Sequence, residues 1–148
     1  MADLAKLLGN LDLPITVEWI KGLDRKKRQN RLQWKWAGEA ANQLGDRDPA
    51  DVQAEWKLTK GVPILRSDSA EFRDVYDAGI RPQPYPQKID LMKLGFPVTS
   101  RMKVRQMARF LNAVQQECSE MGLRLTDPDP DLAQYNSRYR ANPPEAQR

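Results

Sequence analysis

The 148-residue chain carries 24 Lys and Arg against 20 Asp and Glu, a net charge of +4 with a pI near 9.3, and it contains no histidine and one cysteine. A lone cysteine excludes an intramolecular disulfide, and the missing histidine removes the commonest general base and the commonest transition-metal ligand, so a histidine triad or an ordinary zinc site is excluded. With 40% hydrophobic and 30% charged residues the composition is that of one globular domain. No apolar run approaches the roughly 20 residues needed to cross a bilayer. The opening Met1-Ala2-Asp3-Leu4 lacks the positive start of a secretory signal, so a cytoplasmic location without membrane contact is expected.

In chain order, a short amphipathic start (Leu4, Leu7, Leu8) gives way at Pro14 to Ile15, Val17 and Trp19 alternating with Thr16, Glu18 and Ile20, a period-two pattern that predicts a strand over 14–21. Gly22 breaks it. From the N-cap candidate Asp24, the apolar residues Leu32, Trp36, Ala40 and Leu44 recur every fourth place and predict a helix over 24–44. Asp48-Pro49 predicts the start of a second helix through Lys60 that buries Val52 and Trp56 and closes at Gly61 and Pro63. Asp68 with Glu71 resembles a capping box for a short helix over Phe72, Val75 and Tyr76, ended by Gly79. Residues 80–97, with Pro82, Pro84, Pro86 and Pro97, predict an extended connection with at most a strand at 88–94. Thr99-Ser100 offers a hydroxyl cap to a long helix over about 100–121, in which Val104, Met107, Leu111, Val114, Cys118 and Met121 follow helical spacing up to Gly122. Leu123-Arg124-Leu125 suggests another strand. The alternating Asp127-Pro128-Asp129-Pro130-Asp131 reads as a stop. The expectation is a small single-domain α+β fold with a short sheet over 1–131 and a flexible tail over 132–148.

Charge is unevenly placed. From Lys21 to Trp36 seven positive side chains (Lys21, Arg25, Lys26, Lys27, Arg28, Arg31, Lys35) stand against Asp24 alone, an excess larger than that of the whole chain. At 100° per residue, Lys27, Arg31 and Lys35 form one stripe with Arg28 beside it, while Leu32, Trp36 and Ala40 lie on another flank. Trp34 falls at the edge of the basic stripe, where an indole can stack on an unpaired base, and Gln29 and Asn30 offer hydrogen bonds to phosphate or base edges. Basic residues interleaved with an aromatic suit single-stranded nucleic acid, although such a run also suits a plain solvated face. Arg101, Lys103, Arg105 and Arg109 open the long helix, where cations oppose the macrodipole and a bound anion would relieve them; the amides after Ser100 are candidates for a phosphate. The same four side chains also fit a merely exposed role.

Other residues argue against catalysis. Asp68, Glu71, Asp74 and Asp77 crowd one stretch as conceivable magnesium ligands, but capping and solubility explain them more simply. Asp127, Asp129 and Asp131 lack the glycine and terminal glutamate of a calcium loop. Cys118 sits within an apolar helical pattern, as a buried structural thiol does. No metal, cofactor or catalytic residue is expected. Two other readings stay open: a helix-turn-helix-like regulator that reads duplex DNA, and a metal-dependent nuclease using Asp74 or Asp77.

At Arg28-Gln29-Asn30-Arg31 with Trp34, then Glu55-Trp56-Lys57, then Thr99-Ser100-Arg101-Met102 opening a helix that runs to Gly122, the chain resembles the NinB family, the Orf recombination proteins of lambdoid phages. The matching blocks span about 14–128. The resemblance implies a non-enzymatic, homodimeric α+β protein, working in the cytoplasm of a bacterial host, that binds single-stranded and gapped DNA and associates with the host single-strand-binding protein. It would act as a recombination mediator, helping a recombinase or annealing protein reach coated strands. Carried over block by block, it points to Arg28, Gln29, Asn30, Arg31 and Trp34 and to Thr99, Ser100, Arg101 and Lys103. With Lys27 and Lys35 from the charge pattern, these are the expected DNA-binding residues.

Overall fold

A computed structural model describes residues 13–140, with backbone alone at 13–16 and 18, and every regular element among the described residues is helical. The expected α+β fold with a short sheet is therefore corrected to an all-helical one. The amphipathic start at Leu4, Leu7 and Leu8, and the part of the expected tail from 141 onward, lie outside the described residues.

Helix α1 runs from Leu13 to Leu44 without interruption, replacing both the expected strand at 14–21 and the break at Gly22. Pro14 lies in the first turn, where its missing N–H has no intrahelical partner to lose. The Lys, Arg, Gln and Leu residues that follow extend a nucleated helix cheaply. Gly22 costs about 1 kcal/mol relative to alanine, too little to stop a helix of this length. The helix closes at Gly45, whose φ of +79° is the left-handed turn that glycine adopts without strain.

Helix α2 (Pro49–Trp56) starts as expected: the Asp48 side chain accepts from the Asp51 N–H, and Asp51 returns the bond to the Asp48 N–H. It does not stop at Gly61 and Pro63. The backbone widens into a π turn at Lys57–Gly61, with the Val62 N–H reaching back to the Lys57 carbonyl, and continues as α3 (Val62–Asp68). A proline inside a regular helix removes one hydrogen bond and crowds the carbonyl four residues back; the widened turn places Pro63 at the start of a new helix instead.

Ser69, rather than Asp68, caps α4 (Ala70–Gly79) by accepting the Phe72 N–H at 3.1 Å. Phe72 and Tyr76 are buried as their spacing predicts, while Val75 is exposed. The proline-rich stretch contains helix α5 (Tyr85–Lys93), not an extended connection. Its prolines mark a helix start: Pro84 is the extended N-cap and Pro86 lies in the first turn, after which Ile89 and Met92 face inward.

Thr99–Arg101 forms a 3-10 turn, and the long helix α6 begins only at Val104 and runs to Glu120. Met107, Leu111, Val114 and Cys118 are buried along it, whereas Met121 is exposed. Burial pushes the Cys118 thiol up to about 11, as suits an inert core residue.

The segment expected as a last strand is extended but pairs with side chains of α1. The Arg124 N–H donates to Gln43 Oε1 at 2.8 Å, Gln43 Nε2 donates to the Arg124 carbonyl at 2.6 Å, and the Thr126 N–H donates to Glu39 Oε1 at 2.9 Å. Two α1 side chains thus do what a neighbouring strand would do. Beyond it lies α7 (Pro130–Ser137), in a stretch read from sequence as tail; Asp129 caps it and Leu132 is fully buried.

The core gathers Trp36, Ala37 and Ala40 of α1, Val52 and Trp56 of α2, Ile64 and Leu65 of α3, and Phe110, Leu111 and Val114 of α6. Helix α1 packs on α2 and α6, and α5 packs on α2. Gly61 lets the 98–102 segment lie directly on the π turn, since a Cβ there would meet Val98 Cγ1 at 2.6 Å. That close approach positions one wall of the groove described next.

Candidate nucleic-acid interface

The two basic blocks, about seventy positions apart in sequence, meet in space. Leu23, Lys26, Lys27 and Asn30 of α1 face Thr99, Ser100 and Met107 across a groove of about 470 Å³. Asn30, Thr99 and Ser100 also border a smaller, inner recess of about 280 Å³ that takes in Gln33, Trp34, Gln53, Lys57 and Phe96. The shared residues make the two cavities one trough along α1.

No Asp or Glu lines either cavity. Among the described residues Lys26 and Lys27 have no carboxylate partner, whereas Arg28, Arg47, Arg66, Arg81 and Arg109 are all held in ion pairs. Trp34 is 44% exposed at the edge of the inner recess, with an open indole surface. The trough therefore offers unpaired positive charge, hydroxyls, side-chain amides and an aromatic surface, which are the groups that hold a sugar-phosphate strand and an unpaired base.

The expected DNA-binding residues separate around α1. Lys27, Asn30 and Trp34 line the trough, with Thr99 and Ser100 opposite. Arg101 and Lys103 are exposed beside that wall, and the Lys103 N–H donates to Gln106 Oε1 at the start of α6. Because α6 begins after Lys103, Thr99 and Ser100 are not its caps.

Arg28 points the other way. Its guanidinium meets Asp24 at 3.0 Å, Asp129 at 3.0 Å and Asp131 at 2.7 Å, chiefly the Asp131 hydrogen bond raising its pKa. Arg25 stacks over the Tyr135 ring at 4.1 Å, and Asn112 Nδ2 donates to the Asn136 carbonyl. Together these contacts fasten α7 to α1 and α6. Arg31 and Lys35 border a separate cleft with Thr126, Asp127 and Asp129, so that carboxylates line it where none lines the trough.

Gln29 is fully buried and donates through Nε2 to the Val104 carbonyl at 3.0 Å, tying α1 to the first turn of α6. The single stripe drawn through Lys27, Arg31 and Lys35 thus divides: Lys27 belongs to the trough and the other two to the opposite cleft.

Three polar residues of the inner recess are absent from the sequence-based set. Gln33 is 1% exposed, donates to Asn30 Oδ1 at 2.8 Å, and has no partner for Oε1. Gln53 is buried nearby. Lys57, 6% exposed in the π turn, donates to the Met92 carbonyl at 2.9 Å, and burial holds its pKa below the ordinary lysine range. The Glu55-Trp56-Lys57 block marked its position; periodicity alone could not place a lysine inside. Lys93, also at this recess, is neutralised by Asp51 at 2.6 Å.

Among the described residues no group of three or more acids or cysteines stands close enough to hold a metal ion. Asp77 is occupied by Arg66 and Arg81, and Asp68 by Gln106 and Arg109, contacts that keep both carboxyls below the usual range. No helix of the described residues is long and apolar enough to cross a membrane. Comparison of the chain with protein-family models, with curated proteins and with solved structures gives no match.

Proposed function

We propose that the protein binds single-stranded DNA in the trough between α1 and the 98–103 segment and acts by binding alone. The observation that carries this reading is a carboxylate-free groove built from two distant basic segments, with unpaired Lys26 and Lys27 along it and the open indole of Trp34 at its edge. Lysines set affinity through counterion release, the hydroxyls of Thr99 and Ser100 supply neutral donors to phosphate, and the indole supplies a base platform.

The preference for gapped DNA, association with a host single-strand-binding protein and the role of recombination mediator follow from the resemblance carried by the Arg28–Trp34 and Thr99–Met102 blocks. A homodimer follows from the same source. It is also supported by Val17, Trp19 and Ile20, each at least 40% exposed on the first turns of α1, an apolar surface that a second copy would cover.

The reading is tested by fluorescence anisotropy with labelled single-stranded, gapped and duplex DNA at several salt concentrations, with magnesium present and the recovered strands run on a denaturing gel. The expected result is salt-sensitive binding that favours single-stranded and gapped DNA, with all strands intact. Preference for one duplex sequence would replace it with a regulator, and metal-dependent cutting with a nuclease.

A further inference from the structure

The inner recess has a hydrogen-bonding pattern that a phosphate does not satisfy. Gln33 Oε1 is a buried acceptor without a donor, as Gln29 Oε1 and Asn136 Oδ1 are, but of these three only Gln33 borders the recess, where a ligand that donates would satisfy it. A phosphate diester has only acceptors and would set oxygen against oxygen. Lys57 has the opposite need: three N–H donors, of which one is directed to the Met92 carbonyl, and no carboxylate partner. The two side chains border the same recess of about 280 Å³, with Trp34 and Phe96 also on its walls. Lys57 belongs to the π turn, a local irregularity that recurs at functional positions in helices.

A planar group that carries a carbonyl oxygen next to an N–H meets both needs at once, the oxygen accepting from Lys57 Nζ and the N–H donating to Gln33 Oε1. Resting on the reading of the trough as a single-strand site, we infer that this recess takes one unpaired nucleobase of the keto type and reads its Watson–Crick edge. Thymine and uracil present O4 beside N3–H, and guanine presents O6 beside N1–H. Cytosine reverses the pair, offering an amino group where O4 stands and a bare ring nitrogen where N3–H stands; adenine does the same with its amino group and N1. A base turned out of its stack is commonly read along this edge while an aromatic side chain covers its face.

The experiment compares oligodeoxyuridine and oligodeoxycytidine 12-mers by anisotropy with the full chain. Their phosphates are identical and both stack weakly, so the comparison isolates the base edge. The expected result is about five- to tenfold tighter binding of the uridine strand, a difference that one satisfied pair of hydrogen bonds supplies. Lys57→Met keeps the length and apolar stem of the side chain while removing the buried charge. It is expected to bring uridine affinity down to within about twofold of cytidine, with a melting temperature at or above that of the unaltered protein. Equal affinity for the two strands in the unaltered protein, or preference for cytidine, overturns the base-reading inference while leaving single-strand binding in place. Failure to bind either strand overturns both. Retention of the uridine preference in Lys57→Met removes Lys57 from the recognition.

Discussion

Trp34→Ala is expected to weaken single-stranded DNA binding about five- to a hundredfold and to leave the melting temperature where it is. The magnitude is that of one lost base-stacking platform, roughly 1–3 kcal/mol. The indole is 44% exposed, and among the described residues its ring takes part in no aromatic pair or cation–π contact, so its removal opens no cavity in the core. Parallel anisotropy titrations and thermal melts of the two proteins check the prediction. A stability loss of several kcal/mol would show that Trp34 supports the fold instead.

Trp36→Ala is expected to have the opposite signature, a loss of about 3–5 kcal/mol in stability, the range for deleting a buried tryptophan. The melting temperature should fall by roughly 10 °C or more. Trp36 is wholly buried against the centre of the core, and its Nε1 donates to the Thr126 carbonyl at 2.6 Å. That bond joins the extended 123–126 segment to α1 beside the Gln43 and Glu39 contacts, so the substitution empties a cavity and orphans a backbone carbonyl at once. Trp36→Phe, which keeps most of the apolar volume, separates the two effects: its cost should be confined to the lost hydrogen bond, about 1–3 kcal/mol. Chemical denaturation of the three proteins measures the series, and an unchanged midpoint in Trp36→Ala would contradict the packing described above.

The contrast between two tryptophans two positions apart shows what helical periodicity makes legible. Trp36 shares a stripe with Leu32 and Ala40 and lies inward; Trp34 is rotated off that stripe and remains open. The Met107–Leu111–Val114–Cys118 stripe of α6 and the helix start at Asp48-Pro49 were legible for the same reason, as each depends on residues within one or two turns.

Where the sequence reading failed, the decisive partners were distant or the signal had two meanings. The alternation of Ile15, Val17 and Trp19 suits a strand, but with no second strand among the described residues to pair with, the segment extends the helix that follows it. Proline clusters mark either an extended chain or the first turn of a helix, and at Pro84 and Pro86 the latter holds. The Asp-Pro repeat at 127–131 reads as a stop, yet Asp129 caps α7 and, with Asp131, captures Arg28. That capture, between residues about a hundred apart, holds Arg28 against the start of α7 and away from the trough. Gln29 is turned inward, because its acceptor is the backbone of Val104. Lys27, Asn30, Trp34, Thr99 and Ser100, named from sequence, line the trough, whereas the places of Lys57 and Gln33 beside them required the fold to bring α2 against α1.

The central claim is that nucleic acid follows the trough rather than the opposite cleft of α1. It is tested most directly by the salt dependence of single-strand binding in two double variants, Lys26→Gln with Lys27→Gln on the trough side and Arg31→Gln with Lys35→Gln on the other. Each phosphate contact on a single strand contributes about 0.7 to the slope of log K against log salt. The trough-side variant should therefore lower that slope by about 1.4, with the cleft-side variant close to the unaltered protein. A slope that falls only in the Arg31 and Lys35 variant, or equally in both, would contradict the trough as the binding path.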